Sequence, residues 1–200
     1  MGYTTPMQQL YHPHILALFF WLTCYCWLGI EVWLELSHKP NLRTKVGQYS
    51  DALLVFAVGT GIVAALVFKG GLPSAGIYNN VTFFWLALGL AWSGVVLRLI
   101  AAKVLGKYHV MTITTQDKQP VISSGPYRYI RHPSYLGSLM TITGVAIALN
   151  SMLGSIIMTV LAMAAYLYRI KVEETYLEKN LGKTYKLYKK NTKRLIPFIW

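Results

Sequence analysis

The residues of this chain best equipped for chemistry fall in two short stretches. SSGPYRYIRHPSYLG, residues 123–137, carries His132, two arginines and the rings of Tyr127, Tyr129 and Tyr135. RIKVEE, residues 169–174, sets Arg169 and Glu173 four apart, on one face of a helix. A histidine and a carboxylate exchange protons, an arginine holds an anion, and ring faces stack on planar groups or on cations. Plainer readings exist for most of them. Pro133 suits the first turn of a helix, the three tyrosines suit a membrane interface, and Arg169 with Glu173 suits a surface ion pair or a snorkelling arginine. His132 and the SGPY turn are needed by none of these. The chain has only seven Asp and Glu, and ionisable groups near membrane depth are costly enough to be functional candidates.

The elements that must position these residues are helices in a bilayer. Of 200 residues, 54% are apolar and 13% charged, a composition unlike that of a soluble domain. Five apolar runs, Ile15–Leu36, Ala52–Phe68, Val81–Ala102, Tyr135–Leu149 and Met152–Ile170, predict an all-α integral membrane protein of about five transmembrane helices. The first and third are long enough to cross roughly 30 Å of hydrocarbon at about 1.5 Å per residue, the second is marginal, and the last two are short or interrupted. The short turn at Asn150 and Ser151 predicts a helical hairpin from the last two. The first run is too long and too aromatic for a signal peptide and has no basic residue before it, so it is expected to be retained. Cys24 and Cys26 lie inside it, two apart, as buried small apolar residues that point in different directions.

The net charge of +12 does not indicate nucleic acid, because of where the charge lies. Thirteen of the nineteen Lys and Arg fall at or after Lys107, and none precedes Ile15. The positive-inside rule then places the first loop, the 103–131 segment and the C-terminal tail in the cytoplasm, with the N-terminus outside.

One domain over 1–200 is expected, with residues 1–102 as a three-helix scaffold and 103–200 as the half that carries chemistry. Gly59, Gly61, Gly89 and Gly94 suit close helix approach. GTGIVA at 59–64 fits a dinucleotide-fold pattern but lies within an apolar run with no soluble strand before it. Residues 103–134 form a connection too long and too aromatic for a simple linker. Beyond Ile170, Val172, Tyr176, Leu177, Leu181, Tyr185 and Tyr188 recur at helical spacing with lysines between them, interrupted by Gly182; this predicts an amphipathic helix lying on the cytoplasmic interface.

SGPYRYIRHPSYLG followed by RIKVEETYLEKNLGKTYKLYKKNTKRLIPF resembles the isoprenylcysteine carboxyl methyltransferase family of membrane enzymes. The likeness covers roughly residues 105–198; related phospholipid methyltransferases and sterol reductases share the broader pattern. It implies a cytoplasmic, cofactor-binding connection that cups S-adenosylmethionine beside the bilayer, with no metal. Carried over by position, Gln119, Pro120, Val121 and Ile122 line the cofactor, Thr112 lies at its edge and Tyr127 packs on it. His132, Pro133, Ser134 and Tyr135 close the pocket, Glu173 contacts the cofactor, and Arg169 faces the acceptor; Arg169 and Glu173 are the catalytic pair.

The resemblance implies methyl transfer to the carboxylate of a lipophilic acid, such as a prenylcysteine, that enters from the bilayer while the cofactor enters from the cytosol. An ionised carboxylate needs no general base, so positioning and desolvation dominate. A phospholipid amine acceptor stays open as the alternative and needs a base, for which His132 or Glu173 would serve. A related reductase and a non-catalytic membrane protein also stay open. Membrane lipid is an expected partner and nucleic acid is not; the membrane is the plasma (inner) membrane or the endoplasmic reticulum, depending on the organism.

Overall fold

The computed structural model describes residues 13–36, 45–71, 81–106 and 121–196. They form five α-helices, α1 (Pro13–Leu36), α2 (Lys45–Gly71), α3 (Val81–Leu105), α4 (Pro133–Ala148) and α5 (Met152–Asn191), with one 3₁₀ turn, Gly125–Arg128, before α4. No strand occurs among the described residues, apart from a single parallel bridge between Ile130 and Lys193. Three stretches, His14–Leu34, Val81–Leu105 and the helix Met152–Asn191, are long and apolar enough to cross a bilayer, while Ala52–Ala64 and Pro133–Ala148 are shorter apolar helices.

Lipid offers helices no hydrophobic reason to associate, so close backbone packing does the work. α3 and α4 show this best. A Cβ on Gly94 would sit 2.4 Å from the carbonyl oxygen of Gly137, and one on Gly137 would sit 2.6 Å from that of Gly94. Thr141 donates from Oγ1 to the Ala91 carbonyl at 3.1 Å on the same seam. Gly61 likewise admits Met158, so α2 lies against α5. Gly59 and Gly89, expected to serve in the same way, have nothing within 4 Å of where a Cβ would stand.

The hairpin forms at the expected turn. Asn150 takes a positive φ of 58°, and Ser151 caps α5 by accepting from the Gly154 N–H at 3.3 Å. Leu139, Ile142 and Ala146 of α4 then bury against Met158, Ala162, Tyr166 and Ile170 of α5. The amphipathic segment is interrupted at Gly182 as expected, but up to that glycine it continues α5 without a break, and a second helical piece follows the kink. Nothing in KVEETYLEKN ends a helix, and the interruption comes only at Gly182, where φ is +55° and ψ −125°. Tyr185 is buried while Lys179, Lys183, Lys186 and Lys190 are exposed, so the two-faced pattern itself holds.

α1 is the loosest helix. Of its described side chains only Thr23 and Leu34 are buried. It runs parallel to α3, touching it through Phe19 on Trp85 with ring centroids 5.1 Å apart, and through Trp92 Nε1 donating to Thr23 Oγ1 at 3.2 Å.

Candidate active site

The polar turn that begins α4 is held by a segment from far along the chain. The Arg131 N–H donates to the Lys193 carbonyl at 2.8 Å, the Lys193 N–H to the Tyr129 carbonyl at 3.0 Å, and the His132 N–H to the Arg194 carbonyl at 3.2 Å. Tyr188 adds a hydroxyl bond to the Tyr127 carbonyl at 2.8 Å, and Leu195 is fully buried behind the strap. Pro133 begins the helix without a missing N–H to satisfy.

Glu174 is the electrostatic centre of this clamp. Its buried carboxylate accepts from Arg131 Nε at 2.8 Å and Arg194 Nη2 at 3.1 Å, and lies 3.3 Å from His132 Nε2 and 3.4 Å from Lys189 Nζ. Burial pushes its pKa up, but the hydrogen bonds from His132 and Arg131 and the charges of both outweigh it and hold the carboxyl well below the usual carboxylate range. Burial, then the charge of Glu173, drives the Tyr127 phenol far above its ordinary value, so the ring stays neutral.

The neighbouring carboxylate, Glu173, borders a cavity of about 690 Å³. At its polar end stand Tyr127, Arg131, His132, Ser134, Tyr135, Tyr166, Arg169 and Glu173. Arg169, buried, donates from Nε to the Tyr135 hydroxyl at 2.9 Å, and that hydroxyl donates to Glu173 Oε2 at 2.7 Å. The Arg169 guanidinium also lies 5.5 Å from the centre of the Tyr135 ring. His132 stacks on the same tyrosine, with centroids 5.5 Å apart and planes 2° from parallel, and its Nδ1 is 3.9 Å from Glu173 Oε2. Apolar side chains also wall it, Trp27, Leu28 and Val32 of α1 and Leu54, Val55, Val58 and Ile62 of α2, with Glu31 and Arg98 among them. Such a space can hold a zwitterion against paired opposite charges and, in continuity with it, a hydrocarbon chain.

A family model described as phospholipid methyltransferase matches residues 82–184. A probable protein-S-isoprenylcysteine O-methyltransferase of Oryza sativa subsp. japonica is 30% identical over 146 residues, 72% of this chain and 73% of the rice protein. The chain belongs to the isoprenylcysteine carboxyl methyltransferase family. Protein-S-isoprenylcysteine O-methyltransferase B of Arabidopsis thaliana is 24% identical over 197 residues, 98% of this chain and 96% of that one. Among solved structures, a eukaryotic intramembrane Ras methyltransferase, isoprenylcysteine carboxyl methyltransferase, superposes with a TM-score of 0.60 at 24% identity, over 79% of this chain. The chain spans 55% of the length of that structure.

Within this family member, Tyr127, His132, Ser134, Tyr135, Arg169 and Glu173 share one cavity although they come from the 3₁₀ turn, α4 with its cap, and α5. Pro133 is buried at the helix start, and Val121 and Ile122 are half-buried on the approach to the turn; none of the three lines the cavity. Thr112, Gln119 and Pro120 lie outside the described residues. Sequence reasoning missed Arg98, Glu31 and Tyr166, which also border the cavity, as do the helices read as scaffold. The signal for Arg98 and Glu31 was available: each is an ionisable residue well inside an apolar run.

Proposed function

We propose that the cavity is the active site of an S-adenosylmethionine-dependent carboxyl O-methyltransferase whose acceptor is a lipophilic acid of the prenylcysteine type. One observation carries the reading: the chain from the buried Arg169 through the half-buried Tyr135 and Glu173 lines the same cavity as apolar residues of α1 and α2. The residues suit the cofactor. Glu173 offers a carboxylate to a sulfonium or ammonium, the faces of Tyr127, Tyr135 and His132 offer π surface to an adenine or a cation, and arginines offer donors to a carboxylate. S-adenosylmethionine, when bound, supplies an electrophilic methyl group. Glu173, His132, Ser134, Tyr135 and Tyr127 form its side of the pocket in this reading, with Thr112, Gln119, Pro120, Val121, Ile122 and Pro133 as the connection leading to it.

Arg169 has the task of orienting the acceptor carboxylate. Its planar fork fixes both oxygens, and the Tyr135 hydroxyl keeps the guanidinium aimed. The acceptor is already an anion near neutral pH, so no side chain needs to remove a proton, and the chain's contribution is position and exclusion of water. Positive loops favour an N-terminus outside and a polar end of the bundle in the cytoplasm, where a polar cofactor and a lipid-borne acid meet.

The experiment is methyl transfer from radiolabelled S-adenosylmethionine by the purified chain in nanodiscs, offered a farnesylcysteine analogue or a phosphatidylethanolamine. Labelled ester from the farnesylcysteine analogue is expected. Label only in the phospholipid amine overturns the carboxylate assignment, and absence of cofactor binding overturns the reading as a whole.

A further inference from the structure

A second charged pair borders the same cavity. Arg98, buried two turns before the end of α3, donates from Nη1 to Ser138 Oγ at 2.7 Å and Ser134 Oγ at 3.0 Å, and from Nη2 to Glu31 Oε2 at 2.5 Å. Glu31 in turn accepts on Oε1 from Trp27 Nε1 at 3.1 Å. One guanidinium therefore joins three helices: α1 through Glu31, α3 through its own backbone, and α4 through two serines in its first two turns.

The location makes this joint unusual. Taking two charges out of water is expensive, and an apolar pair of similar volume would hold two helices at least as well. α1 has little else to fix it, as only Thr23 and Leu34 are buried among its described side chains. Its other polar tie to α3, Trp92 on Thr23, lies two turns of helix away toward the opposite end. Trp27, Leu28 and Val32, the α1 residues that wall the apolar arm, bracket Glu31 on both sides. Arg98 is neutralised by Glu31, and Arg169 bonds the Tyr135 hydroxyl and aims at the acceptor in the reading above. The two arginines thus have different tasks.

We infer that the Glu31–Arg98 pair is a positioning device for acceptor selection: it seats α1 as the wall against which the acceptor's hydrocarbon chain packs, and ties that wall to the turn that shapes the polar end. This rests on the carboxyl methyltransferase reading of the cavity. A chain long enough to reach α1 gains from a fixed wall, because each buried methylene adds to transition-state affinity. A short chain that stops before α1 gains nothing.

The test compares short-chain and long-chain S-prenylcysteine analogues with the full chain in nanodiscs. In Glu31→Gln the KM of the long-chain acceptor is expected to rise roughly ten-fold, while the short-chain KM and the cofactor Kd each move by less than about two-fold. Glu31→Asp, which keeps the charge, is expected to recover most of the long-chain preference. Equal rises for both acceptors, or a parallel loss of cofactor affinity, would mark the pair as merely structural and overturn the inference. A second measurement does not depend on the reaction. Spin labels at Leu22 on α1 and Val96 on α3, both exposed, in a background with Cys24 and Cys26 replaced, should give a narrow distance distribution that broadens in Glu31→Gln. An unchanged distribution overturns the positioning role even if no acid acceptor is ever methylated, and a broadened one with no methylation of any acid points to failure of the functional reading instead.

Discussion

Adjacent carboxylates on α5 face different fates, and replacing each by its neutral isostere separates holding the site together from using it. Glu174→Gln removes the negative charge from a group that four cationic or ionisable side chains approach within 3.4 Å. Arg131 keeps carbonyl partners at Lys189 and Thr192, so it is not wholly orphaned, but it loses its counter-ion while buried. Breaking a buried pair from one side costs about 3 to 5 kcal/mol; the lower end applies here, because Arg194 and Lys189 are about one-third exposed. At roughly 2 to 4 °C per kcal/mol for a chain of this size, the midpoint of thermal unfolding in detergent should fall by about 10 °C. Glu173→Gln leaves every direct contact of Glu174 in place, changing only the charge 3.9 Å from His132 Nδ1, and removes one charge-assisted contact offered to the cofactor, about 1.5 to 3 kcal/mol, or roughly ten- to a hundred-fold in Kd. Its unfolding midpoint should stay within about 2 °C of the parent. The pH dependence has a definite sign. The folded pKa of Glu174 is depressed, so its contribution to stability is fully present above the unfolded value of about 4.3 and is lost as pH falls from there through the depressed folded value. Glu174→Gln should flatten that acid limb. Calorimetry for cofactor binding and scanning fluorimetry for unfolding decide the matter: if Glu174→Gln unfolds like the parent while Glu173→Gln collapses, the roles assigned to the two residues are reversed.

Three further outcomes follow from the geometry. Arg169→Lys keeps a charge but loses the Nε bond to Tyr135 and the planar fork, so single-turnover methyl transfer should drop by roughly ten- to a hundred-fold while cofactor Kd changes much less; abolished cofactor binding with intact acceptor affinity would refute the assignment. Gly94→Ala forces a methyl to within 2.4 Å of the Gly137 carbonyl, and should cost about 1 to 3 kcal/mol of stability as α3 and α4 are pried apart, measured by unfolding midpoint. Cysteines placed at Met152 and Lys190, in the background without Cys24 and Cys26, should react with impermeant label from opposite faces of a sealed vesicle, and labelling from one face would refute the proposed orientation.

The helical hairpin was readable because Asn150 and Ser151 interrupt two apolar runs and leave no room for any other connection. The polar end was readable as well: His132, Tyr135, Arg169 and Glu173 stand out as ionisable or ring-bearing groups beside apolar sequence, and helical spacing alone puts the last two on one face. The strap was not. Pairing of residues 129–132 with 193–194 is a contact across about sixty positions, and no local periodicity reports it. Glu174 was passed over for the same reason, since three of its four partners come from the turn and the strap. Arg98 and Glu31 escaped by being read one helix at a time. Arg98 is the single charge of its apolar run and Glu31 shares its run with Glu35, and only the parallel packing of α1 on α3 makes Arg98 and Glu31 a pair. Gly59 and Gly89 show the converse: small residues permit close approach, but a helix has one face against its neighbour and glycines on the other faces approach nothing.

The strap also has a consequence for the order in which the protein is made. A ribosome feeding this chain into a membrane delivers α1 through α3 before Lys193 and Arg194 emerge, whose carbonyls receive the Arg131 and His132 amides. A chain clipped just past Asn191 would keep α1 through α5, yet its His132 turn would lack the backbone bonds that set it. Crossing the bilayer and setting the turn are therefore separate requirements on the sequence, and Lys193 and Arg194 serve the second alone.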